Sequence, residues 1–172
     1  MPAHTIKTID TIQDWFGFWV AMLIFPMVLV VIYEVIMRYV FNAPTSWGFE
    51  ATTFIYGLHY MLGFGYALLH NSHVKVDVFV SLLPKRKRNI ISLICNLFMF
   101  LPVFALLSYG CITFAWDSII GLEKSWTSWA PPIYPFKSLM ALGFIMLLLQ
   151  GVSSLLKDFQ TLRRRTESDE PR

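Results

Sequence analysis

The sequence predicts an all-α integral membrane protein with four transmembrane helices, and three observations carry that reading. The 172-residue chain is 56% hydrophobic and only 15% charged, whereas an ordinary soluble domain is roughly 45–50% apolar and about 25% charged. The apolar residues gather into four runs, at 15–37, 47–70, 90–116 and 133–156, each long enough for a span of roughly 20 residues. Turn-forming or charged segments separate the runs: Asn42-Ala43-Pro44-Thr45-Ser46, the stretch 71–89 with Pro84, and the stretch 117–132 with Glu123, Lys124 and two prolines. The length suits a single membrane domain over 1–172.

The first run is too long for the apolar core of a removable signal peptide and has no small-residue cleavage site, so it reads as an uncleaved anchor. Pro26 stands inside this run and Pro102 inside the third. Each removes a backbone donor, which predicts a kink at each position. The second run carries Gly57, Gly63 and Gly65 with Ala67. Gly63 and Ala67 have the four-residue spacing that lets two helices approach closely, and Gly57 and Gly65 lie on a neighbouring stripe. The pattern marks a packing face and leaves open whether its partner is internal or on another chain. Cys95 and Cys111, sixteen positions apart in the third run, would be about 24 Å apart on one helix and cannot pair. They read as small buried apolar residues.

Orientation follows from the basic residues. Eleven Lys and Arg fall in the N-terminal tail, the 71–89 segment and the tail 157–172, against three elsewhere: Arg38, Lys124 and Lys137. The positive-inside rule then puts both termini in the cytoplasm. Trp47, Trp116, Trp126, Trp129 and Tyr134 collect at the opposite boundary as an aromatic belt. Lys85-Arg86-Lys87-Arg88 beside a span reads as an orientation and lipid-headgroup signal rather than a nucleic-acid patch.

Few ionisable groups enter the spans, where charge is costly. Glu34 stands one turn before Arg38, the favourable order for an ion pair. Arg38 can pair with Glu34 or with Glu50, which lies in the first turn of the second span, where a helix N-terminus favours an anion. His59 is the one ionisable group near the middle of a span and reads as a helix–helix hydrogen bonder. His73, Asp77 and Ser81 recur every four positions, which fits an amphipathic interfacial helix over 73–83. The alternation Val74-Lys75-Val76-Asp77-Val78 also fits a strand, but an unpaired strand at a membrane surface would leave its backbone unsatisfied.

Three classes of function compete on these residues. A membrane anchor or enzyme subunit of a redox complex would need haem ligands at matching depth, yet His59 and His70 lie on one helix about 16 Å apart. A complete secondary transporter would be expected to show internal repeats and broken helices around a midplane site. No convincing repeat relates the first two runs to the last two, which leaves a small homo-oligomeric transporter as the form this class would take. An accessory subunit packed against a larger membrane protein fits the close-packing glycines and the lack of chemistry.

Several motifs then point to a family. Arg38-Tyr39-Val40-Phe41 is followed by a short loop and Trp47-Gly48-Phe49-Glu50, a W-x-x-E at the start of the second span. His73-Val74-Lys75-Val76-Asp77 follows that span. Glu123-Lys124-Ser125, a Trp/Pro-rich loop and Pro135-Phe136-Lys137 lead into the fourth span with Gln150. In order and spacing the chain resembles the small membrane subunit of TRAP (tripartite ATP-independent periplasmic) transporters, from the first span to the fourth; the third has no distinctive motif. The resemblance implies a non-enzymatic inner-membrane protein bound to a large permease subunit and working with a periplasmic substrate-binding protein. It implies sodium-coupled uptake of a carboxylate or similar small organic solute, with substrate and sodium carried by the large subunit and with no catalytic, cofactor or metal residue in this chain. Together the residues and the resemblance mark Glu34, Arg38, Trp47, Glu50, Gly57, Gly63, Gly65, His73, Asp77, Glu123, Ser125, Trp129 and Lys137 as structural or subunit-interface positions.

Overall fold

The computed structural model describes residues 2–70, 84, 90–91 and 93–168. The described residues form five helices: α1 (Pro2–Ala21), α2 (Ile24–Tyr39), α3 (Gly48–Leu69), α4 (Leu101–Ile120) and α5 (Tyr134–Ser168). There is no strand among them, only an isolated antiparallel bridge between Lys124 and Pro132. Three helical runs are long and apolar enough to cross a membrane: Thr5–Tyr39, Leu93–Ile120 and Tyr134–Gln160. At 22 residues α3 would measure about 33 Å, but Glu50, His59 and its glycines dilute its apolar character. The predicted interfacial helix over 73–83 lies outside the described residues.

The first span is two helices in near continuity. Pro26 has no N–H to give the Met22 carbonyl, and that carbonyl accepts from Phe25 N at 3.2 Å instead. One turn earlier Leu23 N bonds Val20 O at 3.1 Å, three residues back rather than four. The ladder is thus tightened at Met22–Leu23, between α1 and α2. His59 of α3 meets this break, its Nδ1 3.0 Å from the Val20 carbonyl. A carbonyl only accepts, so the proton is on Nδ1. The histidine read as a helix–helix hydrogen bonder makes that bond, to a carbonyl at the break that also accepts from Leu23 N. Pro102 is treated differently. The five residues Asn96–Phe100 widen into a π-helical turn, with Leu101 N bonding Asn96 O, before α4 continues through Pro102.

Packing makes α3 and α5 the centre of the bundle. Their mutual interface is the most extensive; α2 lies against α3, α4 against α5, and α1 against both. The most apolar stretch of α5 is 33% buried, against 11% for α1–α2 and 6% for the run containing α4, so α5 is the core helix. The backbones of the two helices meet at Gly143. A β-carbon there would lie 2.7 Å from the Met61 carbonyl oxygen and 3.3 Å from Leu62 N. Only glycine lets the α3 and α5 backbones approach this far.

What is buried and what is exposed are reversed relative to a water-soluble domain. Gln13, Glu34, Ser108, Lys137, Gln150 and Ser153 are buried, while Trp15, Phe25, Leu29, Leu106 and Trp116 are exposed. In lipid, apolar side chains gain nothing by leaving the surface, and polar groups need intrachain partners. The two cysteines follow the same rule. Cys95 is exposed and Cys111 half-buried, both unpaired, which corrects the expectation that both are core residues.

Past its apolar part α5 continues as helix to Ser168, so most of the tail read from 157 onward extends the fourth span.

Candidate functional site

The marked polar residues that are described, Glu34, Arg38, Glu50, Glu123, Ser125 and Lys137, converge at one end of the bundle, where α2 ends, α3 and α5 begin, and the α4–α5 loop crosses between them. Glu34 is held on both oxygens. Oε1 accepts from Arg38 Nη2 at 2.6 Å and Nε at 3.2 Å; Oε2 accepts from Thr45 N at 3.3 Å and from the Thr45 hydroxyl. Of the two partners open to Arg38, the structure selects Glu34. Thr45 Oγ1 in turn accepts from Gly48 N at 3.1 Å, satisfying a first-turn donor of α3. A β-carbon at Gly48 would lie 2.6 Å from Glu34 Oε2, so glycine at this position is what admits the carboxylate.

Glu50, in the first turn of α3, looks the other way. Its Oε2 accepts from Thr127 Oγ1 at 2.6 Å and its Oε1 from the Ser125 hydroxyl. These bonds tie α3 to the α4–α5 loop. Glu123 in that loop pairs with Lys137 at the start of α5, and the Lys137 ammonium also sits 3.7 Å from the centre of the Phe114 ring. The hydrogen bond from Lys137 holds the Glu123 carboxyl below the usual carboxylate range. Trp47 stacks on Tyr33 at 5.7 Å and leans on Trp129 at 6.4 Å. The loop is closed by Ser125 N to Pro131 O and Ile133 N to Glu123 O, each 2.9 Å, and turns at Leu122 and Ala130, both at positive φ. Trp126 stands at 99% exposure on this braced loop.

The marked glycines of α3 all meet helices of the same chain. Gly57 faces the Phe136 ring of α5, Gly63 faces Val20 of α1 at 3.9 Å, and Gly65 accommodates the Gln13 amide of α1. Within this chain, then, each of the three has an internal neighbour. His73 and Asp77 lie outside the described residues.

A second polar cluster, at the opposite end, escaped the sequence reading. Asp10 of α1 pairs with Lys157 of α5 at 2.7 Å and accepts from Ser153 Oγ at 3.0 Å and Gln150 Nε2 at 3.2 Å. Gln13, one turn on, donates to the Met146 carbonyl at 2.5 Å. The signal was available: Asp10 and Gln13 are three apart, and Gln150, Ser153 and Lys157 follow at intervals of three and four, each set on one helix face. Nearby, His70 Nε2 lies 3.0 Å from Asp14 Oδ1. Among the described residues no cluster of three or more His, Cys, Asp or Glu could hold a metal ion.

Fold and site together define a multi-pass helical membrane protein whose polar groups serve to join its own helices. Residues 27–161 match the family model described as Tripartite ATP-independent periplasmic transporters, DctQ component. The chain belongs to that family, a family of inner-membrane transporter components rather than enzymes. It is 26% identical over 133 residues to the Sialic acid TRAP transporter permease protein SiaT of Haemophilus influenzae, covering 74% of this chain and 21% of that protein. It is 28% identical over 141 residues to the C4-dicarboxylate TRAP transporter small permease protein DctQ of Vibrio cholerae, covering 74% of this chain and 54% of that one. The chain thus spans about a fifth and about half of these two curated relatives. Helix α1, with Asp10 and Gln13, precedes the matched residues.

Proposed function

We propose that this chain is the small membrane subunit of a sodium-coupled, binding-protein-dependent transporter for a carboxylate or similar small organic solute. In this reading it braces the large permease subunit and helps receive the periplasmic binding protein. Substrate and sodium stay on the large subunit. The observation that carries the reading is the closure of the chain's polar groups: Glu34, Glu50, Glu123, Lys137 and His59 are each engaged in an intrachain bond. A scaffold needs such bonds, whereas a solute pathway needs groups free to exchange partners. Two further points support it. The match covers only 21% of SiaT, as would suit one small part of a larger permease, and both relatives are named for organic acids. Trp126, exposed on a loop pinned by Glu50 and Lys137, is the kind of rigid aromatic anchor that protein interfaces favour.

The same proposal includes four spans with both termini in the cytoplasm, α3 being the second of them. Eleven of the fourteen Lys and Arg then lie on the cytoplasmic side. The polar groups of α3 favour the bundle interior, because His59 bonds Val20 and Glu50 bonds the loop. Reporter fusions after Asn89 and after Arg172 are expected to report cytoplasm and one at Lys124 periplasm; a periplasmic signal from the C-terminal fusion would overturn the orientation. The function itself is tested by co-purification. Tagged chain co-expressed with a large permease subunit of the same transporter family from the same organism should bring that subunit down in fixed stoichiometry from detergent extracts, and recovery of the tagged chain alone would refute the assignment.

A further inference from the structure

At the Trp47 end, α2 and α3 leave a groove of about 250 Å³ between them. Val31, Val35 and Arg38 line it from α2, and Phe49 and Thr52 from α3. Val31, Val35 and Arg38 follow at i, i+4 and i+7, a single stripe about 10 Å long. Most of the lining is apolar, and the one cationic group is at the end where α2 stops.

That group has donors to spare. Arg38 gives Nε–H and one Nη2–H to Glu34, and a guanidinium has five N–H donors. Three remain, on a side chain 48% exposed. Both oxygens of Glu34 are occupied by Arg38 and Thr45, so the pair fixes the guanidinium without saturating it. Arg38 also stands at the end of the apolar run Thr5–Tyr39, the depth at which hydrocarbon gives way to headgroups. Tyr39 and Phe49 flank it, each 78% exposed.

We propose that this groove binds one phospholipid, its phosphate on Arg38 and an acyl chain along Val31 and Val35. An apolar helix laid in the groove would bury three unmet N–H donors, which is costly. A phosphate supplies acceptors that match the planar guanidinium and are charge-complementary to it. The proposal is independent of the transport reading, since it asks only what fits between α2 and α3.

The test uses the full chain in lipid nanodiscs, with and without the large permease subunit. The probe is phosphatidylethanolamine carrying a photoreactive diazirine on its acyl chain; the control is a diacylglycerol with the same chain and no phosphate. Cross-linked peptides are mapped by mass spectrometry. Labelling of 31–39 and 48–52 should exceed that by the control probe about tenfold, the ratio that one charge-assisted hydrogen bond of roughly 1.4 kcal/mol gives. Val35→Trp, at a position already 48% exposed, should fill the groove and abolish labelling there while leaving labelling of α4 intact. Arg38→Gln, which removes the cation, should bring the two probes close to parity. Three outcomes would overturn the proposal: equal labelling by both probes in the unaltered chain, which means annular lipid only; labelling indifferent to Val35→Trp; or loss of groove labelling whenever the large subunit is present, which means that the subunit occupies the groove. The probe comparison on the unaltered chain decides the matter even if a variant fails to fold.

Discussion

Liposomes containing this chain alone should show no sodium-driven uptake of organic acids, and the full rate should return only when the large permease subunit and the binding protein are added. The expected change is from background to turnover, the largest effect the proposed function makes. Its basis lies in the side chains. A carrier must present groups that bind a solute and then release it, so their bonds must be exchangeable. Here three carboxylates at the Trp47 end are closed by partners of the same chain: Glu34 by Arg38 and Thr45, Glu50 by Ser125 and Thr127, Glu123 by Lys137. Opening any of them to bind a solute would leave its former partner without its intrachain bond, a cost that grows with how deeply the pair is buried. The measurement is accumulation of labelled substrate under an imposed sodium gradient, with each component omitted in turn. Uptake by this chain alone would return the homo-oligomeric transporter reading to first place.

Gly143→Leu is expected to abolish the folded chain. A β-carbon at this position would meet Met61 carbonyl oxygen at 2.7 Å, Met61 carbonyl carbon at 3.0 Å and Leu62 N at 3.3 Å. These are backbone atoms of α3, which cannot turn aside as a side chain would. The α3–α5 interface, the most extensive in the bundle, must therefore open along its length. Overpacking a core typically costs 1–3 kcal/mol when side chains can adjust; against backbone the loss should be about 3 kcal/mol or more, a large share of marginal stability. Gly110→Leu is the control. Nothing lies within 4 Å of a β-carbon there, and exchanging a mid-helix glycine for leucine raises helix propensity. Fluorescence-detected size exclusion after graded heating should show Gly143→Leu aggregated at every temperature and Gly110→Leu no less stable than the parent. A normal profile for Gly143→Leu would mean that α3 and α5 do not cross at this point.

Several features of the site could be read along the chain because they are local. Glu34 and Arg38 are one helical turn apart on α2, and that spacing alone brings carboxylate and guanidinium together. Pro26 and Pro102 announce a disturbed ladder, since a missing N–H is a property of the residue. Glu50 is different. Its partners Ser125 and Thr127 lie 75 and 77 positions away, and no period along α3 names them. The choice of Glu34 over Glu50 by Arg38 depends on Thr45 and Gly48 as well, because the loop folds the hydroxyl onto Glu34 and the missing β-carbon of Gly48 leaves the space.

What the sequence by itself determined is the solvent and the secondary structure. Long apolar runs with few charges can be stable only in lipid, where every backbone group must bond within its own segment, so helices follow from composition. What only the tertiary structure decided is which faces meet. Lipid does not drive apolar surfaces together, so the hydrophobic pattern does not mark the core, and small residues and polar pairs set the packing instead. Hence the glycines of α3 turned out to serve α1 and α5 of the same chain, Gly143 proved to be where the backbones of α3 and α5 meet, and Asp10 found Lys157, 147 positions further along the sequence. Such contacts depend on the relative depth and rotation of whole helices, which no single segment encodes.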